Sequence, residues 1–465
     1  MLTGDAIQGF AESEPAVTPF IPPHPEPLES MLPWRVLPRA MRNPIEAWPR
    51  ILFEETSWHP PFPGAAVFLM NPAAVRAAMV ERAEDFPHGH LWRRILHPAW
   101  GDGLVAVEGD DWRWQRRAAA PAFRAVQMAA LAPRMRAAAE AALERWRSAA
   151  QPIDIAAETG RIAFDVILDT VLSGGEDFDR SETETRVRAF LNQLDYRRLS
   201  YLFLPDRAHA GKLNKPAPEA VQLRADVDRM IARRRSAPPR GDLVDLLLGA
   251  TDPETGRPMD DALLRDNLLG FILAGHETSA VTIGWALWLT ASHTPTRDRI
   301  RAEVEAVTAG APVGPEHLDS LVFTRQVIQE TLRLYPPGYQ LTRVCVRDIV
   351  IDGRKIRAGT RILIPVYAMH RHRKYWRDPD AFDPDRFAPG NPMPDRHLYM
   401  PFGAGPRVCL GAVFAMTELV VVLATLIRAA DFTPLSTPWP IASASIRPKE
   451  GLPMRVAIEE IPPSA

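Results

Sequence analysis

The chain has 465 residues, 46% of them hydrophobic and 24% charged, a globular composition that excludes a wholly disordered chain or a collagen-like fibre. Its 55 basic and 57 acidic residues give a net charge of -2, which argues against a dedicated nucleic-acid-binding protein. The two cysteines, Cys345 and Cys409, cannot build a four-cysteine iron–sulfur cluster, a cysteine-rich zinc site or a disulfide framework.

The first 40 residues predict an extended, proline-rich lead-in, followed by a single domain over residues 41–465. The N-terminus has acids and prolines but no basic start followed by a long apolar run, so it resembles neither a signal peptide nor a membrane anchor. Later apolar stretches are interrupted by charge before about 18 residues, the minimum for a membrane span. We therefore expect a soluble, cytoplasmic protein without a membrane span.

The middle of the chain shows the spacing of apolar residues that is typical of helices. The predicted helices cover residues 123–132, 135–150, 155–172, 216–235, 241–249, 260–292, 296–308 and 321–335. Residues 341–367 are rich in β-branched side chains and contain the hairpin turn signal Asp352-Gly353. Residues 379–406 form a second proline cluster, which predicts a long irregular segment that side chains must hold in place. The predicted fold class is mainly α with a small β region.

The segment GDDWRWQRRAAAPAF, residues 109–123, places Trp112 and Arg116 one helical turn apart. An indole N–H and a guanidinium at that spacing can both reach one carboxylate. The alternative is a tryptophan that packs on an arginine stem.

The segment AGHETS, residues 274–279, lies inside the most apolar predicted helix. One stripe recurs at steps of 4, 3, 4 and 3 residues and comprises Leu264, Leu268, Phe271, Gly275 and Thr278. The Thr278 hydroxyl can compete for a carbonyl of the preceding turn, and local opening of the helix would admit water. Glu277 supplies an adjacent acid. The alternative is a long core helix with a tolerated glycine.

The segment ETLRLYPP, residues 330–337, places Glu330 and Arg333 one turn apart, so that they can pair. An exposed pair of this kind contributes less than about 1 kcal/mol, and the alternative is a solvated helix face. Further along, His370 and His372 have no partner cluster that would suggest a metal site.

Cys409 lies between glycines and just before an apolar helical run. The helix dipole and the free backbone N–H groups at that position favour a thiolate. Alone, such a cysteine is most often a small buried hydrophobe. Its neighbours follow the spacing F-x-x-G-x-R-x-C-x-G, whose chance match in this chain is on the order of 10⁻⁴ or less; the residues are Phe402, Gly405, Arg407, Cys409 and Gly411.

This spacing resembles the haem-binding loop of the cytochrome P-450 family, the haem-thiolate monooxygenases. The other three motifs occur in that family's order and approximate spacing, so the resemblance runs from about residue 40 to the C-terminus. It implies the triangular cytochrome P-450 fold with a haem b cofactor and makes Cys409 the axial ligand to the iron.

The resemblance also assigns expected roles to the other motifs. Arg407, Trp112, Arg116 and, on the strand after PPGYQLT, Arg343 would bind the haem propionates. Ala274 and Gly275 would lie above the haem, where Thr278 would hold dioxygen and deliver protons with Glu277 as the relay acid. Glu330 and Arg333 would form a structural triad with Arg386 of the segment 375–387.

The expected reaction is hydroxylation of a small apolar organic substrate, with one oxygen atom from O2 and two electrons. The chain has no flavin or nicotinamide fingerprint, so the electrons are expected from a separate ferredoxin or flavodoxin and its NAD(P)H reductase. Arg113 and Arg117 predict a basic docking patch for that partner; the alternative is a solvated helix face. The rival functions are a haem-thiolate peroxygenase or isomerase and a non-catalytic haem sensor.

The resemblance also implies a substrate pocket lined by Leu264, Leu268 and Phe271 of the long helix. The resemblance adds the segments 86–100, 189–210, 337–341 and 439–446, which are apolar or aromatic.

Overall fold

The computed structural model describes residues 19–29, 33–60, 66–172, 180–193, 206–209, 218–240 and 242–459. Its helices, numbered along the chain, are α1 (Pro33–Arg42), α2 (Ile51–Glu54), α3 (Pro72–Arg76), α4 (His90–Trp100), α5 (Gly109–Ala119), α6 (Ala125–Ala130), α7 (Ala132–Arg147), α8 (Ile155–Thr170), α9 (Arg180–Gln193), α10 (Pro218–Ser236), α11 (Leu243–Leu248), α12 (Asp261–Ser292), α13 (Thr294–Thr308), α14 (Val322–Leu334), α15 (Val366–Met369) and α16 (Ala412–Ala429).

The strands are β1 (Ser57–Trp58), β2 (Val67–Leu69), β3 (Ile153–Asp154), β4 (Leu341–Val344), β5 (Ile349–Ile351), β6 (Arg354–Ile356), β7 (Arg361–Ile364), β8 (Ala430–Pro434), β9 (Pro440–Ala442), β10 (Ile446–Pro448) and β11 (Pro453–Ile458). One sheet has the order β1-β2-β7-β4, a second the order β3-β11-β8, and β5-β6 and β9-β10 form hairpins. Only β2 and β7 are parallel among these pairs of the described chain.

The proline-rich lead-in differs from the prediction at its end, because α1 already begins at Pro33. Proline is well tolerated at the first helical position, where its missing N–H would have no partner. The sequence pattern also misses α4, since Pro98 and three basic residues interrupt its apolar spacing. Residues 1–18 of the lead-in lie outside the described residues.

The long helix α12 is the centre of the protein. Asp260 caps its N-terminus by accepting the N–H of Leu263 at 2.8 Å. The helix packs against α8, α10 and α16, and most of its residues are buried. A helix that is apolar on nearly all sides belongs in a protein core. Any accessible residue in its middle therefore marks an internal space rather than the outer surface.

The other long apolar helix, α16, has a mean hydropathy of 2.0, and by length and composition alone it could cross a membrane. About 67% of it is buried inside the protein. It packs against α7, α12, α13 and α14, so it serves as a second core helix.

Arg333 orders the proline-rich segment. Its side chain and that of Glu330 have no exposed surface, so the pair is not a solvated helix face. Arg333 donates two hydrogen bonds to the Glu330 carboxylate, at 2.7 and 2.8 Å. Its remaining donors reach three backbone carbonyls at 2.6–2.8 Å, those of His370, Pro379 and Ala381. Arg386 approaches the same carboxylate at 3.4 Å.

His370 connects this ion pair to the segment that precedes Cys409. The hydrogen-bond partners assign its tautomer, since Nδ1–H donates to the Arg333 carbonyl at 3.2 Å and Nε2 accepts the Met400 N–H at 3.0 Å. Burial, with the nearby Arg333 charge, lowers the pKa of His370 to about 3. The imidazole is therefore neutral, and its two hydrogen bonds hold Met400 at a fixed distance from the backbone of Arg333.

We predict that His370 makes the protein less stable in acid. Between pH 6.5 and pH 3 the unfolded chain binds a proton at this imidazole that the folded chain does not bind, so the free energy of unfolding falls as pH falls. The slope is about 1.4 kcal/mol per pH unit. In His370→Gln, urea unfolding followed by circular dichroism should show a pH dependence that is smaller by this amount.

Tyr399→Phe is the matched control, because the Tyr399 ring lies 5.2 Å from the His370 ring and its hydroxyl donates a hydrogen bond to the Gln329 carbonyl at 2.9 Å. It should lower stability at every pH without changing the slope. An unchanged slope in His370→Gln would contradict a neutral buried imidazole.

Candidate active site

Cys409 closes a loop that leads into the first turn of α16. Its N–H donates to the Phe402 carbonyl at 2.9 Å. Gly405 has a φ of +72°, and a Cβ there would lie 1.8 Å from the Met79 carbonyl oxygen, so only glycine fits. The loop is thereby clamped against the segment that contains Met79.

The Cys409 thiol is accessible, yet burial raises its pKa. A hydrogen bond from the Gly411 N–H and the charge of Arg116 act in the opposite direction but do not outweigh burial. The predicted thiolate is thus not favoured by the protein alone. A thiol that is both accessible and desolvated lines an interior cleft, and a bound metal cation would favour its deprotonation.

Ala274 and Thr278 form the opposite wall. Both are exposed although they lie in the middle of α12. The Thr278 hydroxyl donates to the Ala274 carbonyl at 2.8 Å, and the helix continues without a break through both residues. The local opening expected from the sequence is therefore absent, because the hydroxyl adds to the helical bonding instead of displacing it.

Ser279 and Glu418 hold the two walls together. The Ser279 hydroxyl donates to Glu418 Oε2 at 2.5 Å, and Glu418 has no exposed surface. Burial raises the pKa of Glu418 to about 8, against the effect of this hydrogen bond. Glu418 lies six residues into α16, about 9 Å along the helix from its start, and Ser279 follows Thr278 directly. The bond therefore joins the helix that carries Thr278 to the helix that follows Cys409.

A cationic cluster forms one edge of this space, and it comprises Trp112, Arg116, Arg343 and Arg407. The Arg407 guanidinium stacks on the Trp112 ring at 4.3 Å. It also donates to Glu108 at 2.5 Å and to the Val107 carbonyl at 2.9 Å. Arg116 lies close enough to Cys409 and Arg407 for electrostatic interaction: Cys409 acts to raise the pKa of Arg116, and the charge of Arg116 acts to lower the pKa of Arg407. The four predicted propionate contacts thus lie together.

The cluster carries more positive than negative charge. Burial lowers the pKa of Arg343 to about 10, and the Arg407 charge acts in the same direction. His88 Nδ1–H donates to the Glu108 carboxylate at 2.8 Å, but burial and the Arg343 charge lower the pKa of His88 to about 4, so the ring is neutral. Although burial opposes its ionisation, Glu108 has a pKa of about 2 because His88 and Arg407 stabilise the carboxylate. The three guanidinium groups of Arg116, Arg343 and Arg407 therefore exceed the one carboxylate of Glu108 by two positive charges.

The predicted pocket residues of α12 are only partly in this space. Leu264 and Leu268 have no exposed surface and belong to the core, whereas Phe271 is partly accessible and packs edge-to-face on Phe123 at 5.1 Å. The accessible stripe of Phe271, Ala274 and Thr278 shares Phe271 and Thr278 with the predicted stripe, and its centre lies about 50° around the helix from the predicted centre.

The Cα of Gly275 faces helix α8 rather than the cleft. A Cβ at this position would lie 2.7 Å from Ile167 Cδ1 of α8, so its missing side chain lets the two helices approach closely. Most of the predicted pocket segment 189–210 lies outside the described residues.

Sequence reasoning missed four residues that contact the site: His88, Glu108, Glu418 and Ser445. Glu418 had a signal, because it is the only charged residue in the apolar run AVFAMTELVVVLATLI that follows Cys409. Ser445 donates to Glu277 at 2.6 Å across 168 residues of chain. A contact between residues so far apart in the chain leaves no local sequence pattern from which it could be predicted.

Comparison with known proteins gives one consistent result. The model of the cytochrome P450 family matches residues 57–453. The chain is 32% identical over 371 residues to cyclooctat-9-en-7-ol 5-monooxygenase of Streptomyces melanosporofaciens, covering 78% of this chain and 79% of that one. It is 33% identical over 372 residues to cytokinin hydroxylase of Arabidopsis thaliana, covering 76% and 71%. The crystal structure of the cytochrome P450DA heme domain has the same fold, with a TM-score of 0.76 and 24% identity over 86% of this chain and 88% of that chain.

Proposed function

This chain belongs to the cytochrome P450 family of haem-thiolate monooxygenases, and we propose that it hydroxylates a small apolar organic substrate with two electrons from a separate redox partner. One observation carries the proposal. Cys409, just before α16, and Thr278, in the middle of α12, are both exposed although the two helices pack together and are joined by the Ser279–Glu418 hydrogen bond. A cytoplasmic location remains a prediction.

The family implies a haem, and the residues present fit haem b. A flat group in the cleft would meet the Cys409 thiol on one side and the bare Ala274 on the other. Its two propionates would balance the two excess positive charges of Arg116, Arg343 and Arg407. Bound haem supplies the reduction of dioxygen and the transfer of one oxygen atom to the substrate.

The chain's own residues would move the protons that this reaction consumes. Thr278 Oγ1–H now donates to the Ala274 carbonyl, and rotation about its χ1 angle would turn the same hydrogen into the cleft. Glu277, the residue before Thr278, carries a partly exposed carboxyl group that can take protons from solvent. Phe271 and Ile441 offer the substrate apolar surface from α12 and from the β9–β10 hairpin.

The docking patch expected from Arg113 and Arg117 requires a correction. Arg113 pairs with Asp110 at 2.7 Å and with Glu84 at 3.1 Å. Arg117 donates twice to the buried Asp252, at 2.8 and 3.0 Å. Because these charges are balanced within the protein, they provide little attraction for an acidic partner.

An exposed apolar patch near Cys409 offers a better docking surface. Val408 precedes Cys409 and is 37% exposed, Val413 in the first turn of α16 is 42% exposed, and Val126 of α6 is 72% exposed. Helix α6, which begins after Arg124, packs on α16, so Val126 belongs to a helix that contacts the one carrying Val413. We propose that a ferredoxin or flavodoxin docks here, close to the thiol.

The first prediction of this function concerns Cys409. Cys409→Ala should lose the thiolate-specific red-shifted Soret band of the reduced carbon monoxide complex, because the accessible thiol is removed. Cys345→Ala is the control. Its thiol is buried and donates to the Arg347 carbonyl at 2.9 Å, so the band should remain. The reverse pair of outcomes would refute the ligand assignment.

The second prediction concerns Thr278. With ¹⁸O2, reductase, ferredoxin and substrate, the wild-type enzyme should place one labelled oxygen atom in the product for each NADH consumed. Thr278→Ala removes a hydroxyl without leaving a large cavity, so substrate binding should persist. The product formed per NADH should fall about ten-fold, with peroxide as the balance.

Thr290→Ala is the matched control, because Thr290 makes the same bond to a carbonyl four residues earlier, at 2.8 Å, far along α12. It should leave the yield unchanged. Equal yields in both variants would remove Thr278 from proton delivery, and absence of labelled product in the wild type would refute the monooxygenase proposal.

The third prediction tests the docking patch. Val126→Ser should raise the KM for the electron donor about five-fold, equivalent to about 1 kcal/mol of apolar contact, and leave kcat unchanged. Steady-state assays with varied ferredoxin measure this. Val221→Ser is the control, since Val221 is 54% exposed on α10. Equal KM values for the two variants would place the partner elsewhere.

A further inference from the structure

The carboxylate of Glu277 has a defined partner. The Ser445 hydroxyl donates to Glu277 Oε1 at 2.6 Å, and Ser445 is only 2% exposed. Within the described residues this is the one side-chain hydrogen bond of Glu277. A short bond from a buried hydroxyl to a carboxylate strongly restricts the positions that the acid can occupy.

Ser445 sits in the turn of the β9–β10 hairpin, which is fixed on both sides. Asn43 donates to the Pro440 carbonyl and accepts the Ala442 N–H, both at 2.9 Å. The Trp285 indole of α12 donates to the Ile446 carbonyl at 3.0 Å. The Ser445 hydroxyl is therefore presented from a rigid element, which is what accurate positioning of another side chain requires.

The same hairpin carries Ile441, which is partly exposed. The hairpin thus combines an apolar side chain of the expected pocket with the hydroxyl that holds Glu277. A substrate that presses on the hairpin would also act on the Ser445–Glu277 bond. The β9–β10 hairpin would therefore affect both substrate binding, through Ile441, and proton supply, through Ser445.

We propose that Ser445 is a positioning residue that holds Glu277 in the orientation from which it passes protons toward Thr278. Through this bond, the position of the β9–β10 hairpin affects how much product is formed per NADH consumed. This inference rests on the proposed monooxygenase function. Ser445 itself gives up no proton in the overall reaction; it donates one hydrogen bond and returns to the same state.

The test compares Ser445→Ala, Glu277→Gln and the double variant. Ser445→Ala should lower the product formed per NADH three- to ten-fold. The substrate KM and the substrate-induced spin-state change should stay within two-fold of wild type, because the pocket is intact. The double variant should be no worse than Glu277→Gln alone, since Ser445 acts only through Glu277.

Two further measurements separate positioning from a general loosening of the hairpin. Asn43→Ala removes a hairpin anchor and so loosens Ile441 and Ser445 together; it should raise the substrate KM and also lower the yield per NADH, whereas Ser445→Ala should lower the yield alone. In urea unfolding, the shift of the double variant Ser445→Ala/Glu277→Gln should be smaller than the sum of the single shifts, which reports the hydrogen bond without any turnover.

The outcomes distinguish the two proposals. An unchanged yield in Ser445→Ala together with a reduced yield in Glu277→Gln would overturn the role of Ser445 alone. Additive losses in the double variant would do the same. An unchanged yield in Glu277→Gln and Thr278→Ala would instead refute the proton relay on which this inference rests.

Discussion

Arg333 is a charged group without exposed surface, and all five of its N–H donors are used. A buried guanidinium and carboxylate are tolerated only when every donor and acceptor is satisfied, because desolvation of the ions costs several kcal/mol. Glu330 alone cannot satisfy Arg333. The remaining donors need the carbonyls of His370, Pro379 and Ala381, so the irregular proline-rich segment must take one path past α14. A helix and a loop with little regular structure are fixed by a single side chain.

The path continues from this ion pair to the site. His370 receives the Met400 N–H, and two residues later the Phe402 carbonyl accepts the Cys409 N–H. On the other side, Glu418 of α16 receives the Ser279 hydroxyl beside Thr278. The positions of Cys409 and Thr278 therefore depend on buried interactions, namely the Arg333–Glu330 pair and the hydrogen bonds of His370 and Glu418, rather than on exposed ion pairs. Such bonds are not weakened by salt, which keeps the geometry independent of ionic conditions.

Much of this was available from the sequence. The Cys409 loop and the ETLRLYPP segment are local patterns, and strong helical periodicity predicted α7, α8, α10 and α12 to α14. The predictions that were wrong concerned residues whose partners are distant in sequence, or the question of which face of a helix meets the cleft. Arg113 and Arg117 looked like a patch because Asp252 is 135 residues away from Arg117. Leu264 and Leu268 have the right spacing for the pocket but face the core, since period alone does not fix which face meets the cleft.

The three guanidinium groups of the cationic cluster, of which Arg407 pairs with Glu108, also matter for folding. Without a dianionic guest they repel one another inside the protein, in surroundings where water screens them little. The cofactor would then act as a counter-ion that completes the core, and its binding energy would add to the free energy of folding. The chain and its prosthetic group are in this sense one folding unit: maturation in the cell would be governed by haem supply as much as by synthesis of the polypeptide.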